Sequence, residues 1–374
     1  MKTRAAVLWE APGKWTVQEL DLDEPGPTEV LVEMVATGLC HSDDHFLTGD
    51  IQVGMTPMVG GHEGAGIVRK VGAEVHDLAE GDHIVTAFIA GCGKCRWCAM
   101  GMQNLCDSGA IILEGVQPSG GFRLHTDDGT DVGTASTLGT FAQWQVYDQM
   151  SVVKIDPDVP LDVACLVACG VATGFGSATN AAKVRAGDVV LVIGAGGIGM
   201  NAVQGAALSG AAHVVVVDPA PAKKDFAPPF GATEVFADFD EADAFVKSIT
   251  NGQGADSAII CICVVSGADI GRAYGAIRKG GTVVVTGVGK DTDDGIPGIN
   301  AFTLAMFQKR IQGALYGMAS PREAMPMLLR LYQSGKLKLD ELITRRYSLD
   351  EINEAYDDMR EGINIRGIIE FSKS

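Results

Sequence analysis

Hydrophobic positions along this chain follow two rhythms, and the change falls near residue 169. Before it, short apolar runs are punctuated by Gly, Pro and Asp: AAVLW from Ala5, EVLVEMVATG from Glu29, GAGIVRKVG from Gly64 and DHIVTAF from Asp82. Such runs predict strands joined by turns rather than helices. After it, continuous Val/Ile runs alternate with helical stretches. Strands are expected at Val189–Ile193, Val214–Val217, Ser257–Ile262 and Thr282–Thr286, with helices from Ile198, around Pro221–Phe230 and over Gly267–Arg278. Apolar runs without polar alternation, separated by helices, indicate a parallel sheet buried on both faces. Amphipathic stretches at Pro321–Ser334 and Leu349–Glu361 precede a last strand at Gly367–Phe371, and this tail is expected to return to the first domain. The fold class is therefore α/β: a β-rich domain followed by a doubly wound parallel sheet. The chain shows no internal repeat.

Composition narrows the picture. At 374 residues the chain is long enough for two domains with separate cores. With 47% hydrophobic and 20% charged residues it has the balance of a soluble globular protein. The net charge of -18 argues against nucleic acid or an anionic membrane surface as partner, because their phosphates are repelled. The longest uncharged stretch, Val189 to Val217, is broken by glycines and carries Asn201, Gln204 and His213. It reads as two buried strands around a helix rather than a membrane span. The N-terminal MKTRAAVLWEAPG has too short an apolar run for a signal peptide, and the expected location is the cytoplasm.

Four of the nine cysteines, Cys92, Cys95, Cys98 and Cys106, form a C-x2-C-x2-C-x7-C run. Soft thiolates at such spacing suit a tetrahedral zinc, which takes four sulfurs at about 2.3 Å. An iron–sulfur cluster or spare thiols are the alternatives. An all-sulfur site is closed, so chemistry must be sought elsewhere.

After the strand Val189–Ile193 comes Gly194-Ala195-Gly196-Gly197-Ile198-Gly199, the G-x-G-x-x-G turn that lets a pyrophosphate approach a helix N-terminus. Asp218 follows 19 residues after Gly199, at the end of the next strand, where it can bind ribose hydroxyls. A carboxylate there repels a 2′-phosphate and so favours NAD over NADP. The bland reading is a glycine-rich turn with a helix-capping Asp.

Three fragments hold further metal-ligand candidates: Cys40 in GLCHSDDH, His62 and Glu63 in GHEGAG, and Cys165 and Cys169 in ACLVACGVATGFG. Two thiolates and an imidazole can hold zinc with a fourth position open. Spacing alone does not bring these fragments together, and a polar turn histidine beside packed thiols is the alternative.

The same fragments, with the cysteine lobe, VIGAGGIG and LITRRYSLDEINEAYDDMREGINIRGII, resemble the zinc-dependent medium-chain alcohol dehydrogenases over essentially the whole chain. Within that family the chain looks most like the actinobacterial nicotinoprotein alcohol dehydrogenases, which keep NAD bound and pass electrons to an external acceptor. The resemblance implies a GroES-like catalytic domain over 1–170 with both zinc sites, a Rossmann NAD-binding domain over 171–316, and a return segment over 317–374. It implies two zinc ions per chain, NAD, an alcohol or aldehyde substrate and a homo-oligomer, dimer or tetramer. By the same resemblance Cys40, His62 and Cys169 bind the catalytic zinc, with Glu63 behind it. Asp43 orients His62. Ser42 takes the substrate proton and passes it through the nicotinamide ribose to His45 at the surface. Thr173 lies near the nicotinamide, Lys223 near the adenosine ribose, and Arg366 on the pyrophosphate; Phe88 walls the substrate channel. Cys165, Cys261 and Cys263 are expected to be core thiols.

Two departures matter. His41 stands where many relatives carry a pyrophosphate-binding Arg, and a neutral imidazole grips phosphate less strongly. Ala110 stands where thiol-dependent formaldehyde dehydrogenases of the family carry an Arg, which disfavours a thiol-adduct substrate. An ordinary NAD-dependent enzyme with dissociable cofactor, and a non-catalytic cofactor-binding relative, are the remaining alternatives.

Overall fold

The computed structural model describes residues 1–289 and 295–373. They divide into two compact units, Met1–Cys169 with Ser320–Ser374, and Gly170–Ala319.

In the first unit a small closed barrel, which includes Lys2–Leu8 and Trp15–Leu22, stands beside a larger sheet. The sheet is built on β1 (Glu29–Gly38), whose alternate side chains are buried. A helix, α1 (His41–Thr48), follows β1 directly. The next strand, β2 (Glu63–Val71), pairs antiparallel with β1, with Gly38 opposite Glu63. On its far side β2 pairs with β3 (His83–Thr86). This register has a chemical consequence. The residues just beyond the end of β1 and just before the start of β2 become neighbours, although Cys40 and His62 are far apart in sequence.

In the second unit β4 (Val189–Ile193) leads through a tight turn into α2 (Gly197–Leu208) and on to β5 (His213–Val217). These two strands lie within a six-stranded, wholly parallel sheet that runs from Glu234–Phe236 to Arg310–Gly313. Leu191, Val215, Ala258 and Val283 in its middle strands are fully buried, as expected for a sheet covered on both faces. No single helix among the described residues is long and apolar enough to cross a membrane.

The return segment contributes α3 (Pro321–Gln333) and α4 (Ile352–Arg360) to the first unit. Its last strand, β6 (Arg366–Glu370), pairs antiparallel with β1 on the edge opposite β2, with Ile368 across from Gly38.

Two expectations need correction. The stretch Pro221–Phe230 is not one helix but a short turn of helix, Lys223–Phe226, and a 3-10 turn, Pro228–Phe230. Pro228 and Pro229 lack the N–H groups that would continue it. Cys263 is exposed rather than core, because the strand ends at Ile260, where its pairing with Ile193 runs out. Cys261 and Cys165 are buried.

Candidate metal centres and cofactor turn

In the cysteine run, Cys95 caps the short helix Arg96–Ala99, and its sulfur accepts the N–H of Cys98 at 3.5 Å. The N–H of Cys95 points at the Cys92 sulfur, and that of Cys92 at the Cys106 sulfur, each at 3.3 Å. The sulfurs of Cys92 and Cys98 are 3.9 Å apart and those of Cys95 and Cys106 are 3.8 Å apart. A disulfide needs about 2.05 Å. A zinc tetrahedron with bonds of about 2.3 Å has edges of roughly 3.8 Å. The four sulfurs therefore fit a cation that no side chain in the set provides. Backbone N–H groups of Cys98 and Asp107 draw the Cys95 thiol down to about 6, whereas burial pushes that of Cys98 up to about 12.

The second set gathers where β1, β2 and β6 end together. Cys40 caps α1, His62 precedes β2, and Cys169 follows a 3-10 turn, Cys165–Ala168, that packs on β1 and β2. Cys40, His62, Glu63 and Cys169 are all buried, with one ligand atom of each within 4.8 Å of the others. His62 Nδ1 faces Asp43 Oδ2 at 3.0 Å without a well-aligned hydrogen bond, which leaves Nε2 for the metal set. The other Asp43 oxygen accepts the N–H of Gly61 at 2.9 Å.

The electrostatics call for a cation. A hydrogen bond from Cys169 holds the Cys40 thiol well below its ordinary range, and the same contact drives Cys169 well above it. Burial works to lower the His62 imidazole, but Asp43 and the Cys40 thiolate overturn this and hold it well above its ordinary value. Burial pushes Glu63 up to about 7 against the pull of Arg366, and Glu63 Oε1 has no hydrogen-bond partner. Two sulfurs, an imidazole and a buried orphan carboxylate oxygen are a donor set that suits zinc.

Ser42 lies beside this set, its Oγ 3.6 Å from the Cys40 sulfur. Phe88 is 8% exposed and presents its ring edge-on to His62, centroids 5.6 Å apart. Arg366 is buried and bonds Glu63 through Nη2. His45 departs from expectation: it is only 9% exposed, with Nδ1 3.5 Å from the carboxylate of Asp50. It lies on the buried part of α1, and Asp50 rather than His45 reaches solvent. His41 is half-buried, and burial lowers its imidazole below the ordinary value.

In the second unit, Gly194 has φ +93, a left-handed conformation that favours glycine, and its N–H bonds Val217. A Cβ on Gly199 would fall 1.9 Å from the Gly194 carbonyl, whereas one on Gly196 would meet open space. The turn is thus closed on the helix side and open at Gly196 beside the N-terminus of α2, a position that favours an anion. Asp218 accepts N–H groups of Ala195 and Ala220 at 2.8 and 2.9 Å. Lys223 is buried nearby, its amine lowered by burial while Asp218 raises it. Thr173 is buried in the helix Gly170–Gly176.

Sequence reasoning overlooked Asp44 within α1 and Tyr356 and Arg360 of α4. The doubled acid in HSDDH was the available signal, since a second aspartate in a buried helix requires a partner.

Residues 26–157 match the family described as alcohol dehydrogenase GroES-like domain, and residues 197–334 the zinc-binding dehydrogenases. The chain is 50% identical over 369 residues to the NDMA-dependent alcohol dehydrogenase of Amycolatopsis methanolica, covering 99% of each. It is 46% identical over 373 residues to alcohol dehydrogenase B of Mycobacterium tuberculosis, covering 100% of this chain and 99% of that one. Benzyl alcohol dehydrogenase of Acinetobacter calcoaceticus superposes with a TM-score of 0.91 at 31% identity over 99% of both chains.

Proposed function

The chain belongs to the zinc-binding medium-chain alcohol dehydrogenase family, and on that footing we propose a specific activity. The protein moves hydride between a primary alcohol, or the aldehyde in reverse, and NAD held as a resident group, with an external compound accepting the electrons. The observation that supports this most directly is the buried Cys40–His62–Cys169 set with Ser42 beside it.

A zinc ion held by Cys40, His62 and Cys169 supplies a Lewis acid that favours the ionised form of an alcohol near neutral pH, and NAD supplies the hydride acceptor. The chain's own residues do the rest. Asp43, facing Nδ1 of His62 at 3.0 Å, orients the ring and raises the basicity of its other nitrogen. As Ser42 takes the hydroxyl proton of the alcohol it releases its own toward His45, whose Nδ1 lies 3.5 Å from the more exposed Asp50. Phe88 lines the approach with an apolar ring that keeps water from His62. Gly194, Gly196, Gly197, Ile198 and Gly199 receive the pyrophosphate, and Asp218 with Lys223 receives the adenosine ribose.

Identity of 50% to an NDMA-dependent relative supports the resident cofactor and external acceptor. The lowered imidazole of His41 favours a second reading, an ordinary enzyme whose NAD dissociates, because a neutral ring adds no charge to the phosphate grip. Dialysis separates the two. A resident cofactor stays at close to one NAD(H) per chain, alcohol raises the reduced-nicotinamide absorbance once, and steady turnover requires an added acceptor such as NDMA. Many turnovers of free NAD, with apo-protein recovered by gel filtration, establish the second reading instead.

A further inference from the structure

Two fastenings run from α4 to the elements that carry the candidate metal ligands. Arg360, the last residue of α4, donates from Nε at 2.9 Å and Nη2 at 2.5 Å to Oδ1 of Asp44 in α1. Asp44 is 8% exposed, and a carboxylate so enclosed keeps its charge only beside a partner. Earlier in α4, Asn353 clasps the backbone of Trp15, accepting its N–H at 3.1 Å and donating to its carbonyl at 2.9 Å. Tyr356 packs on Trp15 and Phe141, with ring centroids 6.3 Å from each. Those rings fill the space over the turn before His62. A Cβ on Gly60 would lie 2.2 Å from Trp15, and one on Gly61 2.6 Å from Phe141. One face of α4 therefore bears on the turn leading into His62, and its C-terminal residue holds the helix that begins after Cys40.

Helix α1 needs such a hold. Its 8 residues fall short of the ~12 at which an isolated helix becomes stable in water. Its cap, Cys40, makes no side-chain capping bond, because that sulfur belongs to the metal set. Asp43 ties the start of the helix to Gly61 and His62, and near its end Phe46 and Leu47 are buried and the Leu47 carbonyl accepts the N–H of Gly13. Asp44, the next residue around the helix, adds a directional charged contact to α4, which apolar packing does not supply.

We propose that Arg360 and Asp44 form a positioning pair that sets the rotation of α1, and so the places of Ser42 and His45 relative to Cys40 and His62. Its effect on turnover rests on the alcohol-oxidation reading; its effect on the metal set does not.

The test compares Arg360→Gln, Asp44→Asn, the double variant and Arg360→Lys. Each is measured for kcat, KM, thermal midpoint and the rate of zinc release to 4-(2-pyridylazo)resorcinol. The release phase absent from Cys40→Ser identifies the Cys40 set. Each single neutral variant is expected to lose roughly tenfold to a hundredfold in kcat, with a smaller change in KM, as small misplacement of reacting groups does. The double variant should regain the parental midpoint, since both charges are gone, yet remain as slow as the slower single variant. Arg360→Lys should restore part of kcat, and the Cys40 release phase should quicken roughly tenfold in the single variants by the same misplacement. A double variant that recovers kcat together with its midpoint overturns the proposal, because the pair then serves stability alone. Losses that multiply in the double variant also overturn it. If the parental protein oxidises no alcohol, the functional reading falls and zinc release decides. A quickened Cys40 phase then upholds the positioning pair, and an unchanged one overturns it.

Discussion

Glu63 and Arg366 meet across a strand that belongs to neither of them. Glu63 opens β2, Arg366 opens β6, and β1 runs between, with Gly38 opposite Glu63 on one edge and Ile368 on the other. A Cβ at Gly38 would fall 2.3 Å from Glu63 Oε2 and 2.9 Å from Arg366 Nη2. The missing side chain is the space in which the buried pair forms. Gly38→Ala is expected to force the two apart and cost about 3–5 kcal/mol, the loss seen when a buried ion pair is broken. The midpoint of denaturant unfolding measures it, and a change under about 1 kcal/mol would mean that the pair has another route around the strand.

The same carboxyl sets a pH dependence. Glu63 is pushed up to about 7 from an ordinary 4.5, so in this range the native state holds its proton more tightly than the unfolded chain does. Its contribution to stability is full below 4.5 and is lost as pH rises through about 7. In metal-free protein the difference in unfolding free energy between parent and Glu63→Gln should shift in this sense across that window. A difference that does not change with pH contradicts the assignment.

Metal content should be two zinc ions per chain. Cys98→Ser opens the lobe, and is expected to lose one zinc and lower the thermal midpoint by about 5 °C or more. Cys40→Ser should lose the other, nearly abolish turnover and leave the fold intact by circular dichroism. Metal analysis giving one zinc per chain in the parent would sink the two-site reading.

Proton transfer can be separated from metal binding. Ser42→Ala should lower kcat by about a hundredfold while both zinc ions stay, since it removes the first hydroxyl of the relay. His45→Gln should be milder, about tenfold, because the carboxylate of Asp50, 3.5 Å from His45, can accept the proton in its place. Added buffer base should rescue His45→Gln more than Ser42→Ala. Equal, buffer-insensitive losses reverse this ordering.

Cofactor choice rests on Asp218 at the end of β5. Asp218→Ala should weaken NAD by roughly tenfold to a hundredfold and narrow the preference over NADP, since a ribose contact and a like-charge barrier vanish together. Fluorescence titration with both dinucleotides is the measurement. A parent that already prefers NADP refutes the role.

Local chemistry was legible in the chain itself. The cysteine run closes on its own backbone, so spacing alone identified a four-sulfur site, and the strand–glycine–helix pattern identified the turn at Gly194 because both depend on neighbours in sequence. The parallel sheet was legible because Val189–Ile193 and its fellows are apolar on both faces. Local pattern failed where a boundary depended on pairing or on proline. Cys263 left the sheet when its partner strand ended, and Pro228 with Pro229 divided an expected helix. From the residues alone the second metal set stood level with a bland alternative, and a resemblance supplied the assignment. Spacing is silent about fragments that meet only through the antiparallel register of β1 with β2 and β6. Tertiary structure alone decided that Arg366 faces Glu63, that His45 is enclosed beside Asp50, and that Asp44 finds Arg360. The contacts of Arg366 with Glu63 and of Asp44 with Arg360 join charged groups distant in sequence, and burial, which makes such contacts strong, is a property of the packed chain rather than of any segment of it.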